Sequence, residues 1–520
     1  MMTGLVLKYL RPLSKYEKLA LAFSVFMLLA LFAVGSFHKM GGYGVETDFY
    51  WAYAPDGQRV LDGELPREPG VGPGYALTLA VFNLFIGDWF TTGKTVSILS
   101  AILCGLLTFK LFKTLFNEEV AFFTLVLWHA TVLPWSIMAS TDLFFAFLVS
   151  LSIYFLFRDG SISTRNLVLS GIVMGMTYLT RHNAIVLPLG VALILLLINP
   201  ESWSLRVRLK SLALFGGAFL AVNLPWGYLQ YASNGSAVRS DSYLIIASHF
   251  YGKGGVVSSE DMRLAAQKFD SLKSVIVYDF GHFVKHYVSN LYHHLYRVLI
   301  HSLRFPSFLF VGAGALALFP RLDRKQLSLF VFPGLSFLLL CLVHFEPRYY
   351  LYIISFFVLL VVYFLFQQDE SVKNGSGWLK VRQVRILVFA ATAFLLLLSS
   401  VKEIKKNISA EPRELLQIAS ELRPRVERSA AIIARKPHVG FLADLETVYF
   451  PEAHSLSALL DYAVAEEADY LLYGEMEAQR RPELAILLDP QNAPAELEPV
   501  YVLDHPRTVV YKIKIGKRGT

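Results

Sequence analysis

Long apolar segments alternate with short polar segments along most of the chain. Segments such as Tyr16–Phe37 and Thr92–Phe116 are long enough to cross a bilayer as helices, which takes roughly 20 residues. Segments of similar or slightly smaller length recur as far as Ile386–Ser400. This pattern predicts an all-α polytopic membrane protein with about eleven transmembrane helices.

The cations beside these segments alternate between the two predicted sides of the membrane. Because lysine and arginine accumulate on the cytoplasmic side, the basic residues around the start of the first segment place the N-terminus there. Residues 38–91 and 232–301 then form outer loops. The apolar stretch Pro73–Phe85 in the first loop is short, so we predict a re-entrant or interfacial helix rather than a full span.

The composition changes after Val401, where charged residues become more frequent and apolar runs become shorter. We therefore assign residues 1–402 to a transmembrane domain and residues 403–520 to a small α/β domain on the outer face. Its predicted helices are Arg413–Arg423 and Ser455–Glu466, and its predicted strands are Ala430–Ile433, His438–Phe441, Tyr470–Tyr473, Val500–Leu503 and Thr508–Ile513. The last two strands are predicted to form a hairpin.

The composition is that of a membrane protein. Only 17% of the 520 residues are charged and 55% are hydrophobic, against roughly 25% charged residues in an ordinary soluble domain. The net charge of +7 does not indicate nucleic-acid binding, because the cations lie beside apolar segments. Cys104 and Cys341 both lie inside apolar segments, which supports neither a disulfide framework nor a zinc site. We expect a multi-pass protein of a prokaryotic inner (plasma) membrane with its C-terminal domain extracytoplasmic.

Two aspartates lie at the outer ends of predicted spans, where ionisable groups tend to line a cavity. Asp48 follows the first span and precedes an aromatic cluster, and Asp142 opens the segment Leu143–Phe157. Two carboxylates can divide a reaction between a general base and a group that orients the acceptor. The alternative for each is an N-cap, in which the aspartate accepts from the first backbone amides of a helix.

Two arginines fall on the same predicted side of the membrane. Arg181 follows one predicted span and Arg348 precedes another, and both are candidates for binding phosphate. Arginine suits this role because its planar guanidinium offers a fork of hydrogen-bond donors. The alternative is that each side chain snorkels to the lipid headgroups.

The second outer loop contains a cluster of histidines. His282 and His286 are four residues apart and share a helix face, an arrangement that zinc can use. No glutamate lies between them as in a His-Glu-x-x-His site, and aromatic residues surround them. We therefore interpret this segment as an interfacial amphipathic helix.

Five short elements occur in a characteristic order. They are Thr47-Asp48-Phe49-Tyr50-Trp51, Gly72-Pro73-Gly74-Tyr75-Ala76-Leu77, Ser140-Thr141-Asp142-Leu143-Phe144, Tyr178-Leu179-Thr180-Arg181-His182-Asn183 and Arg348-Tyr349-Tyr350-Leu351. Together they resemble the glycosyltransferase C (GT-C) superfamily, and within it the family 39-like branch of protein O-mannosyltransferases and aminoarabinose transferases. The resemblance covers about Tyr16–Phe366.

The resemblance implies a GT-C-like membrane enzyme that transfers a hexosyl or pentosyl unit from a polyprenyl-phosphate sugar. The acceptor would be a hydroxyl of a glycan, glycolipid or protein, and the transfer would invert the anomeric centre. It implies Asp48 as the general base and Asp142 as the group that positions the acceptor. The substrate-binding residues that it implies are Arg181, Arg348, Arg67, Tyr50, Trp51 and Tyr75. Neither a cofactor nor a catalytic metal is expected.

The chain departs from the resembled branch at one place. Aminoarabinose transferases have a lysine that contacts the lipid phosphate, whereas this chain has Val71 and Gly72 at the corresponding position. Either Arg67 or another cation takes that role, or the donor is bound differently.

Two other classes of function remain open from the residues. A polytopic transporter or lipid flippase would also place charged residues along a cavity, although it predicts broken spans and paired repeats. A catalytically silent receptor would use its outer α/β domain to bind a partner, and would tolerate Asp48→Asn.

Overall fold

A computed structural model describes residues 12–66, 71–236, 242–252, 259–366, 382–427 and 430–514. The first part of the chain is helical. Its helices are α1 Lys15–Gly35, α2 Ala54–Leu61, α3 Gly74–Ile86, α4 Trp89–Leu115, α5 Glu118–Val132, α6 Asp142–Phe157, α7 Thr164–Thr180, α8 Val186–Leu193, α9 Leu205–Asn234, α10 Ser242–Tyr251, α11 Ser259–Lys268, α12 Leu272–Tyr278, α13 Phe280–Arg297, α14 Phe308–Leu318, α15 Arg324–Leu340, α16 Ile354–Phe366 and α17 Arg382–Ser409.

Several of these helices can cross a membrane. Among the described residues, α1, α4, α9 and the helix that begins at Arg382 are long and apolar enough, and a fifth crossing is possible if the pair α13 and α14, bent by 116°, forms one span. Shorter apolar helices such as α3, α6 and α16 accompany them. Helical membrane-spanning segments are therefore confirmed, whereas the count of about eleven stays a prediction.

Most of the long helices share one large apolar core, whereas α10 to α13 pack around a separate, smaller one. The large core contains Trp128 of α5, Phe145 of α6 and Phe332 of α15, whose side chains are all fully buried. Polar side chains within the helices bond to their own backbone, as when the hydroxyl of Thr131 donates to the carbonyl of Leu127 at 2.8 Å. Such bonds satisfy polar groups that water cannot reach.

A small α/β domain follows α17. It contains α18 Glu414–Leu422, α19 His438–Ala443, α20 Leu456–Ala465 and α21 Glu475–Arg480, with β1 Ala431–Ala434, β2 Glu446–Tyr449, β3 Tyr470–Gly474, β4 Leu497–Leu503 and β5 Thr508–Ile513. The sheet order is β2-β1-β3-β5-β4. Strands β1, β2 and β3 are parallel, and β5 is antiparallel to both β3 and β4. The predicted α/β character and terminal hairpin are confirmed.

One predicted strand is wrong. The segment His438–Phe441 forms the start of helix α19 instead. Pro437 occupies the N-cap position and supplies a fixed φ near −70° at the point where a helix starts. The residues that follow are mostly buried and apolar, and a short apolar run cannot be assigned to helix or strand from its pattern alone.

Candidate active site

Asp48 lies at the end of the loop that follows α1, which we call the Asp48 loop (residues 36–48). A π-helical turn, Phe49–Tyr53, begins immediately after it and continues into α2. The side chain of Asp48 makes no capping hydrogen bond. Instead its Oδ2 accepts from Nη1 of Arg348 at 3.1 Å, and the carboxylate is 54% exposed. The geometry therefore departs from the capping alternative and leaves this carboxylate open to a ligand.

Asp142 is the first residue of α6 and is buried. One carboxylate oxygen, Oδ1, accepts from Nη1 of Arg181. The other, Oδ2, lies 4.0 Å from Nη1 of Arg348 and has no hydrogen-bond partner in the described part of the chain. Buried carboxylate oxygens are rarely left unpaired, so Oδ2 is available to a donor that the site would receive.

Arg348 connects the two aspartates, although it is 300 residues away from Asp48 in the chain. Burial disfavours its charge, but Asp142 and Asp48 outweigh this effect and raise the pKa of the Arg348 guanidinium. The side chain of Tyr349 lies against both arginines, with its ring centroid 5.4 Å from Arg348 and 5.5 Å from Arg181. The two arginines therefore point into the cluster, and the snorkelling alternative does not describe them.

Tyr53 is a member of this site that the sequence interpretation did not single out. Burial raises the pKa of its phenol, while Arg181 and a hydrogen bond with Thr141 act in the opposite direction. Its ring packs edge-on against the fully buried ring of Tyr75, with centroids 5.1 Å apart. Tyr75 thus contacts the site through the ring of Tyr53. The aromatic content of this loop was the available signal, but it did not distinguish Tyr53 from its neighbours.

A cavity of about 590 Å³ opens beside these residues. Its polar end is lined by Tyr53, Arg181, His182, Asn183 and Tyr349. Nδ1 of His182 and Oδ1 of Asn183 are buried without a hydrogen-bond partner in the described residues. The remaining wall is largely apolar and includes Ile185, Ile245, Ile246, Leu272, Leu339, Leu340, Leu342 and Val343. This cavity suits an amphiphile with an anionic head and an apolar chain.

The Gly-Pro-Gly element of the first loop borders the same cavity. A Cβ atom at Gly72 would lie 1.9 Å from the carbonyl oxygen of Leu179, and one at Gly74 would lie 2.7 Å from Oγ1 of Thr180. Only residues without side chains allow this approach. Two of the elements that carried the sequence resemblance are therefore in direct contact, directly beside Arg181.

The other predicted binding aromatics lie away from the cavity. Tyr50 is buried against Phe90 and His438, with centroids 6.1 and 4.5 Å away. Trp51 packs on Tyr449 of the C-terminal domain at 4.4 Å. Arg67 lies outside the described residues. A basic side chain that the sequence interpretation missed, Lys436, lies close enough for Asp48 to act on its charge.

The histidine segment forms α13, an 18-residue helix as predicted. His286 lies against His249 of α10, with ring centroids 5.1 Å apart. Among the described residues there is no group of three or more His, Cys, Asp or Glu side chains arranged to hold a metal ion.

Comparison with known proteins adds to this geometry. A family model described as dolichyl-phosphate-mannose-protein mannosyltransferase matches residues 68–228, a range that includes Asp142 and Arg181. No curated protein matches the chain.

Solved structures match nearly the whole chain. ArnT from Cupriavidus metallidurans bound to undecaprenyl phosphate is 15% identical, with a TM-score of 0.59, and the match covers 96% of this chain and 99% of that one. The protein has a GT-C-like fold. AglB, the oligosaccharyltransferase from Archaeoglobus fulgidus, in complex with an inhibitory peptide and a dolichol-phosphate, is 12% identical with a TM-score of 0.58. That match covers 91% of this chain and 71% of AglB. The GT-C resemblance seen in the sequence is confirmed.

Proposed function

We propose that the protein is a membrane glycosyltransferase that moves a sugar from a polyprenyl-phosphate donor to an acceptor hydroxyl. The observation that carries this proposal is the cluster of two aspartates and two arginines, one of which, Arg181, lines the polar end of a largely apolar cavity. The family match over residues 68–228 and the GT-C-like fold support the same class of enzyme. The acceptor is a glycan, glycolipid or protein, and the site faces the extracytoplasmic side of an inner membrane.

The donor's polyprenyl chain would lie along the apolar wall, and its phosphate would lie near Arg181. When the bond between the anomeric carbon and the phosphate oxygen breaks, negative charge grows on the phosphate. A preorganised guanidinium next to that oxygen stabilises the transition state more than the ground state. The positive charges of Arg181 and Arg348 are balanced by the negative charges of Asp142 and Asp48. A further cation would therefore strengthen binding of the anionic phosphate. Among the described residues, Lys436 is the candidate for this cation.

Asp48 acts as the general base in this proposal. Arg348 donates to Oδ2 of Asp48, and the other carboxylate oxygen, Oδ1, takes the proton of the acceptor hydroxyl as the hydroxyl oxygen attacks the anomeric carbon. The polyprenyl phosphate leaves from the opposite face, so the reaction is a single displacement with inversion. Asp142 holds Arg181 in place, and its Oδ2, which has no hydrogen-bond partner among the described residues, accepts a hydrogen bond from a substrate hydroxyl.

The test is sugar transfer in reconstituted vesicles. Radiolabelled polyprenyl-phosphate sugars are supplied with an envelope extract as acceptor, and wild type is compared with Asp48→Asn and Asp142→Asn. Asp62→Asn, an exposed carboxylate in the same part of the chain, is the matched control. We expect Asp48→Asn to lower the rate by roughly 10²–10⁴-fold, which is the contribution of a general base. The control should keep its rate.

Two results would contradict the proposal. Full transfer by folded Asp48→Asn would remove the assignment of the base. Transport of the lipid-linked sugar across the vesicle membrane without any transfer would replace the enzyme with a lipid flippase.

A further inference from the structure

A buried carboxylate connects the loops that carry the two aspartates. Oε2 of Glu46 accepts from the backbone amide of Gly42 at 2.9 Å, and Oε1 accepts from the backbone amide of Ala139 at 2.8 Å. Glu46 is only 3% exposed. It precedes Asp48 by two residues, and Ala139 precedes Asp142 by three. One side chain therefore fixes the distance between the Asp48 loop and the loop 133–141, which we call the Asp142 loop.

A histidine extends this connection to the C-terminal domain. Nε2 of His38 lies 3.0 Å from Oε1 of Glu46, and its Nδ1 lies 2.6 Å from Oε1 of Glu411. Glu411 follows α17 and precedes α18, the first helix of the C-terminal domain. It also accepts from the backbone amide of Lys39 at 3.3 Å and from Nε of Arg413 at 2.8 Å.

The contacts of the three side chains favour a charged histidine. An ionised carboxylate only accepts hydrogen bonds, so an imidazole between two carboxylates donates from both nitrogens and is a cation. Other charged groups also lie near His38. Lys94 of α4 donates to the backbone carbonyl of His38 at 2.6 Å, and the charges of Asp88 and Lys39 lie close enough to Lys94 to affect its charge. Arg413 forms an ion pair with Glu411. The edge of His38 also packs against Phe90 at 5.1 Å.

We propose that His38, Glu46 and Glu411 form a positioning triad, through which the C-terminal domain sets the geometry of Asp48 relative to Asp142. The triad residues do not touch the substrate. They act through the Asp48 loop and the Asp142 loop. The catalytic part of this inference rests on the proposed transferase activity, whereas the coupling of the loops does not.

The packing around Glu46 leaves little room for the loops to shift independently. A Cβ atom at Gly93 of α4 would lie 2.6 Å from the ring of Phe49 and 2.8 Å from the Cβ of Ala139. Phe49, which follows Asp48, and Ala139, whose amide binds Glu46, therefore both pack against Gly93 of α4. A displacement of about 1 Å in a reacting group can lower a rate by roughly 10²-fold, so loosening this contact should affect catalysis strongly.

The first test measures the coupling without any transfer assay. Hydrogen–deuterium exchange of the full-length protein in lipid nanodiscs compares wild type with Glu411→Gln. We expect about tenfold faster exchange in peptides that contain Gly42 and Ala139, although the substitution lies about 270 residues from the latter. Glu201→Gln is the matched control: Glu201 accepts from the amide of Ile162 at 3.0 Å and pairs with Lys325 at 3.5 Å, away from both loops. Faster exchange confined to the neighbourhood of residue 411 would overturn the triad.

The second test is the pH dependence of transfer. Burial opposes the charge on His38, but the hydrogen bonds to Glu46 and Glu411 outweigh it and raise the pKa of the imidazole above 6.5. The wild-type rate should therefore fall as the pH rises through this raised pKa. Glu411→Gln removes one of the two carboxylates, so the fall should begin at a lower pH and the maximal rate should drop by about tenfold.

The two tests distinguish a positioning role of the triad from a role in folding alone, and they distinguish failure of the triad from failure of the proposed function. A contact that matters only for folding would lower the rate of Glu411→Gln by one factor at every pH, which would overturn the positioning role. If wild type transferred no sugar, the proposed function would fail, and the exchange experiment would still decide on the triad. Wild-type exchange measured below and above the pKa of His38 needs no variant, and unchanged protection of Ala139 across that range would also overturn it.

Discussion

Arg348 is the residue on which the charge cluster depends. It contacts Asp48 at 3.1 Å and lies 4.0 Å from Asp142, and its own flat side lies over Tyr349. A guanidinium can serve two carboxylates at once because it presents five N–H donors in one plane. Lysine carries the same charge, but its ammonium is a point charge on a flexible chain.

We therefore expect Arg348→Lys to keep the fold and lose most of the activity. The ammonium can stay with one aspartate but does not hold both, so kcat should fall by roughly 10–10³-fold. Initial rates with varied donor concentration measure this effect. Arg321→Lys, at an exposed arginine in the short 3-10 turn that follows α14, is the control and should behave as wild type. Wild-type kcat in Arg348→Lys would show that charge alone is sufficient.

The residue types at this site could be predicted from the sequence, but their partners could not. Polar side chains at the ends of apolar segments drew attention to Asp48, Asp142, Arg181 and Arg348, since such positions are costly in lipid. The pairing of Asp48 with Arg348 depends on how distant helices pack. The place of Tyr53 in the site could not be predicted for the same reason, because its neighbours come from three separate parts of the chain.

At the scale of elements, the contact between the Gly-Pro-Gly turn and the end of α7 shapes the cavity. Gly72 lies against the backbone of Leu179 so closely that no side chain fits, and the next residues of α7 lead to Arg181. This contact holds the first loop and the arginine at one end of the cavity. It links two elements that lie about 100 residues apart in the sequence.

Gly72→Ala should therefore disturb the site in a way that an ordinary Gly→Ala substitution does not. The added Cβ would lie 1.9 Å from the carbonyl oxygen of Leu179, so the backbone must move. We expect at least a tenfold loss of transfer and a lower melting temperature. Gly216→Ala in α9 is the control, because its Cβ would meet no described atom within 4 Å and alanine favours a helix by about 1 kcal/mol. Equal activity of the two variants would show that the turn does not position Arg181.

The elements themselves followed from the apolar pattern wherever they were long. Helix α4, predicted as Thr92–Phe116, runs from Trp89 to Leu115. The pattern failed in the C-terminal domain at α19, where six residues are too few to show a period and the burial comes from contacts with Tyr50 and β1. Strand β2 was not predicted, because its residues are only partly buried and do not alternate clearly.

At the scale of the whole molecule, the contact between the C-terminal domain and the Asp48 loop contains two histidines whose pKa values are shifted in opposite directions. His38 lies between two carboxylates. His438 of α19 is fully buried, packs on Tyr50 and Tyr43, and its Nε2 lies 3.3 Å from the carbonyl oxygen of Gly42. Burial lowers the pKa of His438 to about 4, with the nearby Lys436 and Arg435 acting in the same direction.

These two states predict a stability that passes through a maximum with pH. The pKa of His38 is raised in the folded protein, so its contribution is complete below the unfolded value of about 6.5 and is lost as the pH rises through the folded value. The pKa of His438 is lowered, so its contribution is complete above about 6.5 and is lost as the pH falls towards 4. The loss at the acid side is on the order of 3 kcal/mol.

Thermal unfolding of the detergent-solubilised protein between pH 4 and about 9 measures both effects. We expect His38→Asn to lower the melting temperature at pH 6 and to flatten the alkaline side of the curve, because the variant has no proton to lose. His438→Asn should flatten the acid side instead. His454→Asn is the control, since His454 is an exposed residue that pairs with Glu483 at 3.4 Å on the surface of the same domain. If the His38 and His454 variants gave the same curve, the charged histidine would contribute nothing to holding the C-terminal domain on the Asp48 loop.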